Sequence, residues 1–362
     1  MTSKVDQIDI LYMRAGSGHI SAARALEATL KIKWPEIKVN LIDIRDVLDS
    51  VDILKKYTGL EFESIYNWQI KRGITRGLRP QLKIGQSLIK FYGSNLYSKL
   101  YEYYLNHKTN VIVSVIPNFN KIIARVAEDL SVPFITVMAD LADSPPDFWM
   151  EPESKNQMIV CDMTTAVPQA LQMNIPVTRI MPVRGTMVHP KFYQEHLKCD
   201  YHKYHGLVVY GGYGSKRMLD IAKMNIPSDI HMIYVCGNNP SLREKISSLT
   251  ISCDRTVVGF TDLLPLMMHQ SDFVIGKPGP GIINECVVSQ VPFITENRTM
   301  FQEAENLNWI RKHKIGYVLE SFNDLLDGID GVLRNQLLFK QNLATIKNNT
   351  VFEVADYLAK TC

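Results

Sequence analysis

The chain has 362 residues, 46% of them hydrophobic and 21% charged, with a formal net charge of +3. That length exceeds one ordinary core and suits two domains, and the composition excludes disordered, fibrous and collagen-like classes. No apolar run is long enough to cross a bilayer, the N-terminus lacks a charged-then-apolar export pattern, and the six cysteines are scattered with no C-x-x-C pair; the expectation is a cytosolic protein with reduced thiols.

In chain order, a strand at 8–13 runs into Ala15-Gly16-Ser17-Gly18-His19, and a helix is predicted over 21–33. A second strand follows at 38–44. Residues 55–108 then hold ten Lys or Arg against three Glu, a local charge of +7, and ten of the 33 aromatic residues. Cations interleaved with Trp, Tyr and Phe suit an anionic membrane surface, where rings sit at headgroup depth among phosphates. The same side chains suit single-stranded nucleic acid, but no nucleic-acid module is recognisable and the chain as a whole is nearly neutral. The plainer alternative is a solvated helical face over an aromatic core. Strands at 111–116, 133–138, 158–160 and 179–181, with a helix at 121–130, imply a parallel sheet wrapped on both faces.

Residues 182–199, with Gly185, Pro190 and a polar run, read as a linker. The second half repeats the first. A strand at 206–210 enters Gly211-Gly212-Tyr213-Gly214-Ser215-Lys216, with a helix from 218. Strands at 231–235, 256–260, 272–275 and 292–295 alternate with helices at 263–269 and 302–313. A final helical stretch, 337–359, could lie across both halves.

The segment Ile275-Gly276-Lys277-Pro278-Gly279-Pro280-Gly281-Ile282-Ile283-Asn284-Glu285 is the most informative. A buried strand ends in a glycine-rich turn that opens a helix. Glycine admits close approach of a ligand, and the first N–H groups of a helix lack internal partners, so the turn can hold a diphosphate. Glu285, one turn in, is placed to accept hydrogen bonds from sugar hydroxyls. A proline-rich turn without a ligand is the alternative. Neither 16–21 nor 211–214 matches the dinucleotide fingerprint G-x-G-x-x-G, and no G-x-x-x-x-G-K-[ST] occurs, which argues against nicotinamide and ATP chemistry.

Taken together, G-S-G-H before the first helix, G-G-x-G opening the second half and G-K-P-G-P-G-x-x-x-E resemble glycosyltransferase family 28. Within it the chain is most similar to monogalactosyldiacylglycerol synthases and bacterial diacylglycerol glycosyltransferases. Pro182-Val183-Arg184-Gly185, Gly259-Phe260-Thr261 and the run from Thr299 to Asn306 agree in order and separation. The resemblance implies an α/β fold of GT-B type, two Rossmann-like domains facing a central cleft. Its expected parts are an acceptor and membrane-binding domain at 1–185, a donor domain at 200–336 and a helical segment at 337–362. It also implies an inverting hexosyl transfer from a UDP-sugar to a lipid hydroxyl such as that of diacylglycerol, on the inner face of a membrane.

On the donor side the resemblance implies that Gly279, Pro280 and Gly281 hold the diphosphate and Glu285 the ribose. The backbone at Phe260 and Thr261 faces the base, Gln302 and Glu303 touch the sugar, and Gly211, Gly212, Tyr213 and Gly214 border the phosphates. On the acceptor side lie Gly16, Gly18, Asp143 and Trp149. His19 is the expected general base, its ordinary pKa suiting the task, with Asp140 to orient it. Capping of turns is the alternative role for His19, Asp140 and Asp143. Helix N–H groups would stabilise the leaving group, and no cofactor or metal is expected, since no D-x-D pair is present. Ser144 and Pro145 stand where the plant enzymes carry His-Pro, and Trp149 is shifted. A UDP-sugar 2-epimerase of the same architecture, or a non-catalytic nucleotide-sugar or lipid binder, are the other readings.

Overall fold

The structure is a computed structural model that describes residues 5–14, 18–48, 93–117, 119–144, 148–195, 203–250, 253–297 and 303–361. These form two compact units, one from the described residues up to Pro190 together with Asn348 onward, the other from Lys191 to Lys347.

The first unit runs β1 (Gln7–Tyr12), α1 (Gly18–Lys33), β2 (Lys38–Asp43), α2 (Ile44–Leu48), α3 (Gly93–Asn106), β3 (Val111–Ser114), α4 (Asn120–Asp129), β4 (Phe134–Val137), β5 (Gln157–Asp162), α5 (Ala166–Gln172) and β6 (Ile180–Val183). Its strands are all parallel in the order β2-β1-β3-β4-β5-β6. β3 and β4 are buried at every position, as short apolar strands covered on both faces must be. Because β1 lies between β2 and β3, the chain leaves its carboxyl end in one direction and returns on the other side, which opens a crevice there.

Of the basic, aromatic stretch, residues 55–92 lie outside the described residues. Its last part is α3, which buries Leu96, Leu100 and Tyr104. Tyr97 donates its hydroxyl to Asp129 at 2.6 Å and lies under the Arg125 guanidinium at 4.6 Å. In this portion Tyr97 and Tyr104 serve helix packing. Among the described residues no helix is long and apolar enough to cross a membrane.

The second unit runs β7 (Tyr204–Val209), α6 (Lys216–Ala222), β8 (Ile230–Val235), α7 (Pro240–Ser247), β9 (Arg255–Val258), α8 (Leu264–Gln270), β10 (Phe273–Gly276), α9 (Pro280–Val288), β11 (Phe293–Glu296), α10 (Ala304–His313), β12 (Gly316–Leu319), α11 (Leu325–Arg334) and α12 (Gln336–Ala344). The parallel order is β12-β11-β10-β7-β8-β9, so its switch point lies between β7 and β10. Phe273, Ile275, Ile294, Tyr234 and Met218 are among the buried core. β12 is a strand that the sequence pattern does not signal, being four residues long and opening on a glycine.

The final helical stretch is two helices, α12 and α13 (Thr350–Leu358), and the break falls at 345–349. Asn348 turns its amide back to the Thr186 carbonyl at 2.9 Å and accepts from Thr350 N at 3.0 Å. Thr350 donates to the Arg184 carbonyl at 3.0 Å. From there α13 lies in the first unit, with Val351, Val354, Ala355 and Leu358 buried. The Lys33 ammonium meets the Asp356 carboxylate at 2.7 Å, and the Trp34 indole donates to it at 3.3 Å.

Candidate functional site

In the second unit the described donor residues fall on loops and a helix start at one edge of the sheet, the carboxyl edge. Gly211, Gly212, Tyr213 and Gly214 follow β7; Phe260 and Thr261 follow β9; Gly279, Pro280 and Gly281 follow β10; Glu303 follows β11. Gln302 lies outside the described residues. β7 and β10 are paired neighbours, so their two glycine turns are brought together at the switch point. A Cβ on Gly276 would stand 2.5 Å from the Val209 carbonyl oxygen, and only glycine lets the strand ends close this tightly.

The first turn depends on positive φ at Gly211 (+73) and Gly214 (+61). It is tied to the loop after β8, where Asn238 N donates to Gly212 O at 2.8 Å and Asn239 Nδ2 to Tyr213 O at 3.1 Å. Ser215 caps α6 by accepting from Arg217 N. Phe260 is 62% exposed, and Thr261 accepts from Leu263 N at 3.1 Å.

The second turn begins α9 with Gly279 as N-cap and Pro280 in the first helical turn, where a missing N–H costs nothing. Asn284 donates to Pro280 O at 2.9 Å, and Asn306 of α10 donates to Pro278 O at 2.8 Å. These amides hold the loop from two helices. Among the described residues nothing lies within 4 Å of a Cβ built on Gly281, so the space they leave beside the first N–H groups of α9 is open. The carboxylate of Glu285, half-buried one turn along, makes no hydrogen bond or ion pair among the described residues. Burial pushes its carboxyl up to about 7. An unpaired carboxylate beside an open helix N-terminus is an acceptor awaiting donors.

In the first unit, Gly18 and His19 open α1, three residues earlier than the sequence pattern suggests, so His19 projects from the first turn. His19 Nδ1 lies 2.9 Å from the carbonyl oxygen of Val115, at the end of β3. A carbonyl only accepts, so Nδ1 carries the hydrogen and Nε2 presents its lone pair. Burial lowers the His19 pKa to about 4, and the Val115 carbonyl offsets this in part. The imidazole is therefore neutral at physiological pH, and a weaker base than its ordinary value suggests.

Trp149 is fully buried, its ring centroid 5.8 Å from that of His19. Its indole N–H donates to Asp140 at 3.0 Å. The Val115 carbonyl thus fixes the His19 tautomer, and Asp140 accepts from the Trp149 indole that lies beside it. Asp143 caps the same turn, accepting from Phe148 N at 3.1 Å and Trp149 N at 2.8 Å. The Trp149 carbonyl takes hydrogen bonds from Asn120 at 2.9 Å and Gln157 at 3.1 Å. Gly16 lies outside the described residues. Val115, Asn120 and Gln157 carry no sequence signal, because a backbone acceptor and buried amides have no motif. Among the described residues no group of three or more His, Cys, Asp or Glu could hold a metal ion.

Two units, each a parallel six-stranded sheet with a switch point beside its first strand, have the architecture of the GT-B fold. Residues 212–352 match the model of the glycosyltransferase family 28 C-terminal domain. That match takes in most of the second unit and runs into α13.

It is 23% identical over 351 residues to a probable chloroplastic monogalactosyldiacylglycerol synthase of Glycine max, a match covering 89% of this chain and 64% of that sequence. The chain thus spans just under two thirds of that relative's length. It is 22% identical over 382 residues to a processive diacylglycerol beta-glucosyltransferase of Bacillus cereus, covering 99% of this chain and 93% of the other. Among solved structures, MurG of Acinetobacter baumannii aligns with a TM-score of 0.62 at 12% identity, covering 99% of this chain and 100% of that one. UDP-GlcNAc 2-epimerase of Neisseria meningitidis aligns with a TM-score of 0.58 at 14% identity, covering 98% of each chain. At such identities the structures speak to fold alone.

Proposed function

We propose that this glycosyltransferase moves a hexose, glucose or galactose, from a UDP-sugar to the hydroxyl of a membrane lipid such as diacylglycerol, with inversion at the anomeric carbon. The second unit is the donor unit and the first the acceptor unit. The open N-terminus of α9 takes the diphosphate, and Glu285 accepts from the ribose hydroxyls. His19, its tautomer set by the Val115 carbonyl, takes the acceptor proton at Nε2. Helix N–H groups stabilise the departing diphosphate. The unpartnered Glu285 beside the open turn, within a family 28 domain, is the observation that carries this reading. The names of the relatives supply the acceptor class.

The basic, aromatic residues of 55–108 would hold the acceptor unit against anionic lipid, so that an insoluble substrate need not leave the bilayer. Flotation with neutral and anionic vesicles tests this; equal binding to both removes the charge argument. The function is tested by incubating the purified chain with labelled UDP-glucose or UDP-galactose and diacylglycerol vesicles, then separating the lipids. Labelled glycolipid of inverted configuration is expected. Free sugar released without acceptor would identify the 2-epimerase instead, and donor binding without turnover a binding protein.

A further inference from the structure

The loop between β10 and α9 contributes a cation, Lys277, whose side chain folds back over the start of the helix. A Cβ built on Gly279 would stand 3.8 Å from Lys277 Cε and 3.9 Å from Glu303 Oε1. Ammonium and carboxylate therefore meet above the helix N-cap, with Nζ 3.3 Å from Oε1. The Glu303 side chain is 9% exposed, whereas that of Lys277 is 38% exposed. The carboxylate is buried and the ammonium partly exposed, both at the N-cap of α9. Arg217, after the other glycine turn, is committed elsewhere: it meets Glu296 at 2.7 Å and stacks on Phe322 at 4.2 Å.

We propose that Lys277 is a side-chain cation of this site, binding the donor's diphosphate and stabilising it as the leaving group, with Glu303 as the counter-ion that the phosphate displaces. The inference rests on the reading of this turn as a diphosphate cradle. As the acceptor oxygen bonds to the anomeric carbon, the bond from that carbon to the phosphate oxygen breaks. Its electron pair stays on the phosphate, and the acceptor proton passes to His19. The diphosphate gains one negative charge beside the helix N-terminus, where backbone dipoles alone supply only partial charge. The phosphate competes with Glu303 for the ammonium and frees that carboxylate for sugar hydroxyls.

Calorimetry with UDP and with uridine, on the full chain and on Lys277→Met, Lys277→Arg and Glu303→Gln, tests the proposal. Lys277→Met should weaken UDP binding about tenfold or more, as loss of a charge-assisted contact does. Uridine affinity should be unchanged, and turnover should fall about a hundredfold. Lys277→Arg should recover most of the UDP affinity. Glu303→Gln keeps the lysine and removes its competitor, so it should bind UDP more tightly. If Lys277→Met binds UDP like the parent, or loses UDP and uridine equally, the role of Lys277 is overturned while the cradle stands. Unchanged or weaker UDP binding in Glu303→Gln likewise counts against it. No binding of UDP by the folded parent chain overturns the cradle itself.

Discussion

At the residue scale, two titrating groups carry the chemistry, and burial moves them in opposite senses. Glu285 is raised to about 7, so near neutrality it is about half ionised. Ribose hydroxyls donate to the ionised form, and donor affinity should therefore fall as pH drops below 7. Calorimetry with a UDP-sugar, whose diphosphate diester does not titrate there, should show that fall in the parent and a flat profile in Glu285→Gln. For a carboxyl raised on folding, the linked stability is fully present below about 4.5 and is lost as pH rises through about 7. Glu285→Gln should thus melt higher than the parent at pH 8.5 and alike at pH 4. His19 is lowered to about 4, so its linked stability is present above about 6.5 and lost as pH falls from there toward 4. It remains neutral across the physiological range, and at saturating donor the turnover profile should show no limb near 6.5. His19→Ala should lower turnover by about a hundredfold or more, the usual worth of a general base, with UDP affinity intact; undiminished turnover would remove it from that role.

At the element scale, each site loop is held by amides from neighbouring elements. Asn120 on α4 and Gln157 on β5 both donate to the Trp149 carbonyl, and Gln157 also donates to Thr136 on β4 at 2.8 Å. Ser114 on β3 donates to Asn120 at 2.7 Å. Asn120→Ala strands these buried groups and should cost about 1–3 kcal/mol, read as a lower midpoint in urea unfolding; an unchanged midpoint would show that the network adds nothing. In the second unit, Gly276→Ala places a methyl group 2.5 Å from the Val209 oxygen. Parting β7 from β10 should cost about 1–3 kcal/mol, in the range of overpacked cores, and should weaken UDP binding, because both glycine turns grow from those strand ends.

At the scale of the whole molecule, the last helix completes the first unit although more than 150 residues of the second unit precede it in the chain. Val351, Val354, Ala355 and Leu358 are buried in that unit, and full burial of a Val or Leu side chain stabilises by about 1.5–3 kcal/mol. Deleting residues 348–362 should consume most of the about 5–15 kcal/mol by which a domain is stable. Hydrogen exchange should then speed up in α1, which carries Lys33, while β7 to β12 keep their protection. Unchanged exchange in α1 would show that α13 is dispensable.

The sequence alone carried the alternation of short apolar strands with helices, because a strand buried on both faces leaves a continuous apolar run bounded by glycine or proline. It also carried the two glycine turns and the family resemblance, since close approach and an open helix start restrict residue choice. It did not carry β12, too short for any period, or the break at 345–349, set by an asparagine side chain reaching Thr186. Nor could it show that the Val115 carbonyl sets the His19 tautomer, or that burial moves both His19 and Glu285 from their ordinary pKa values. Those depend on backbone carbonyls and on exclusion of water, which exist only once distant strands lie side by side.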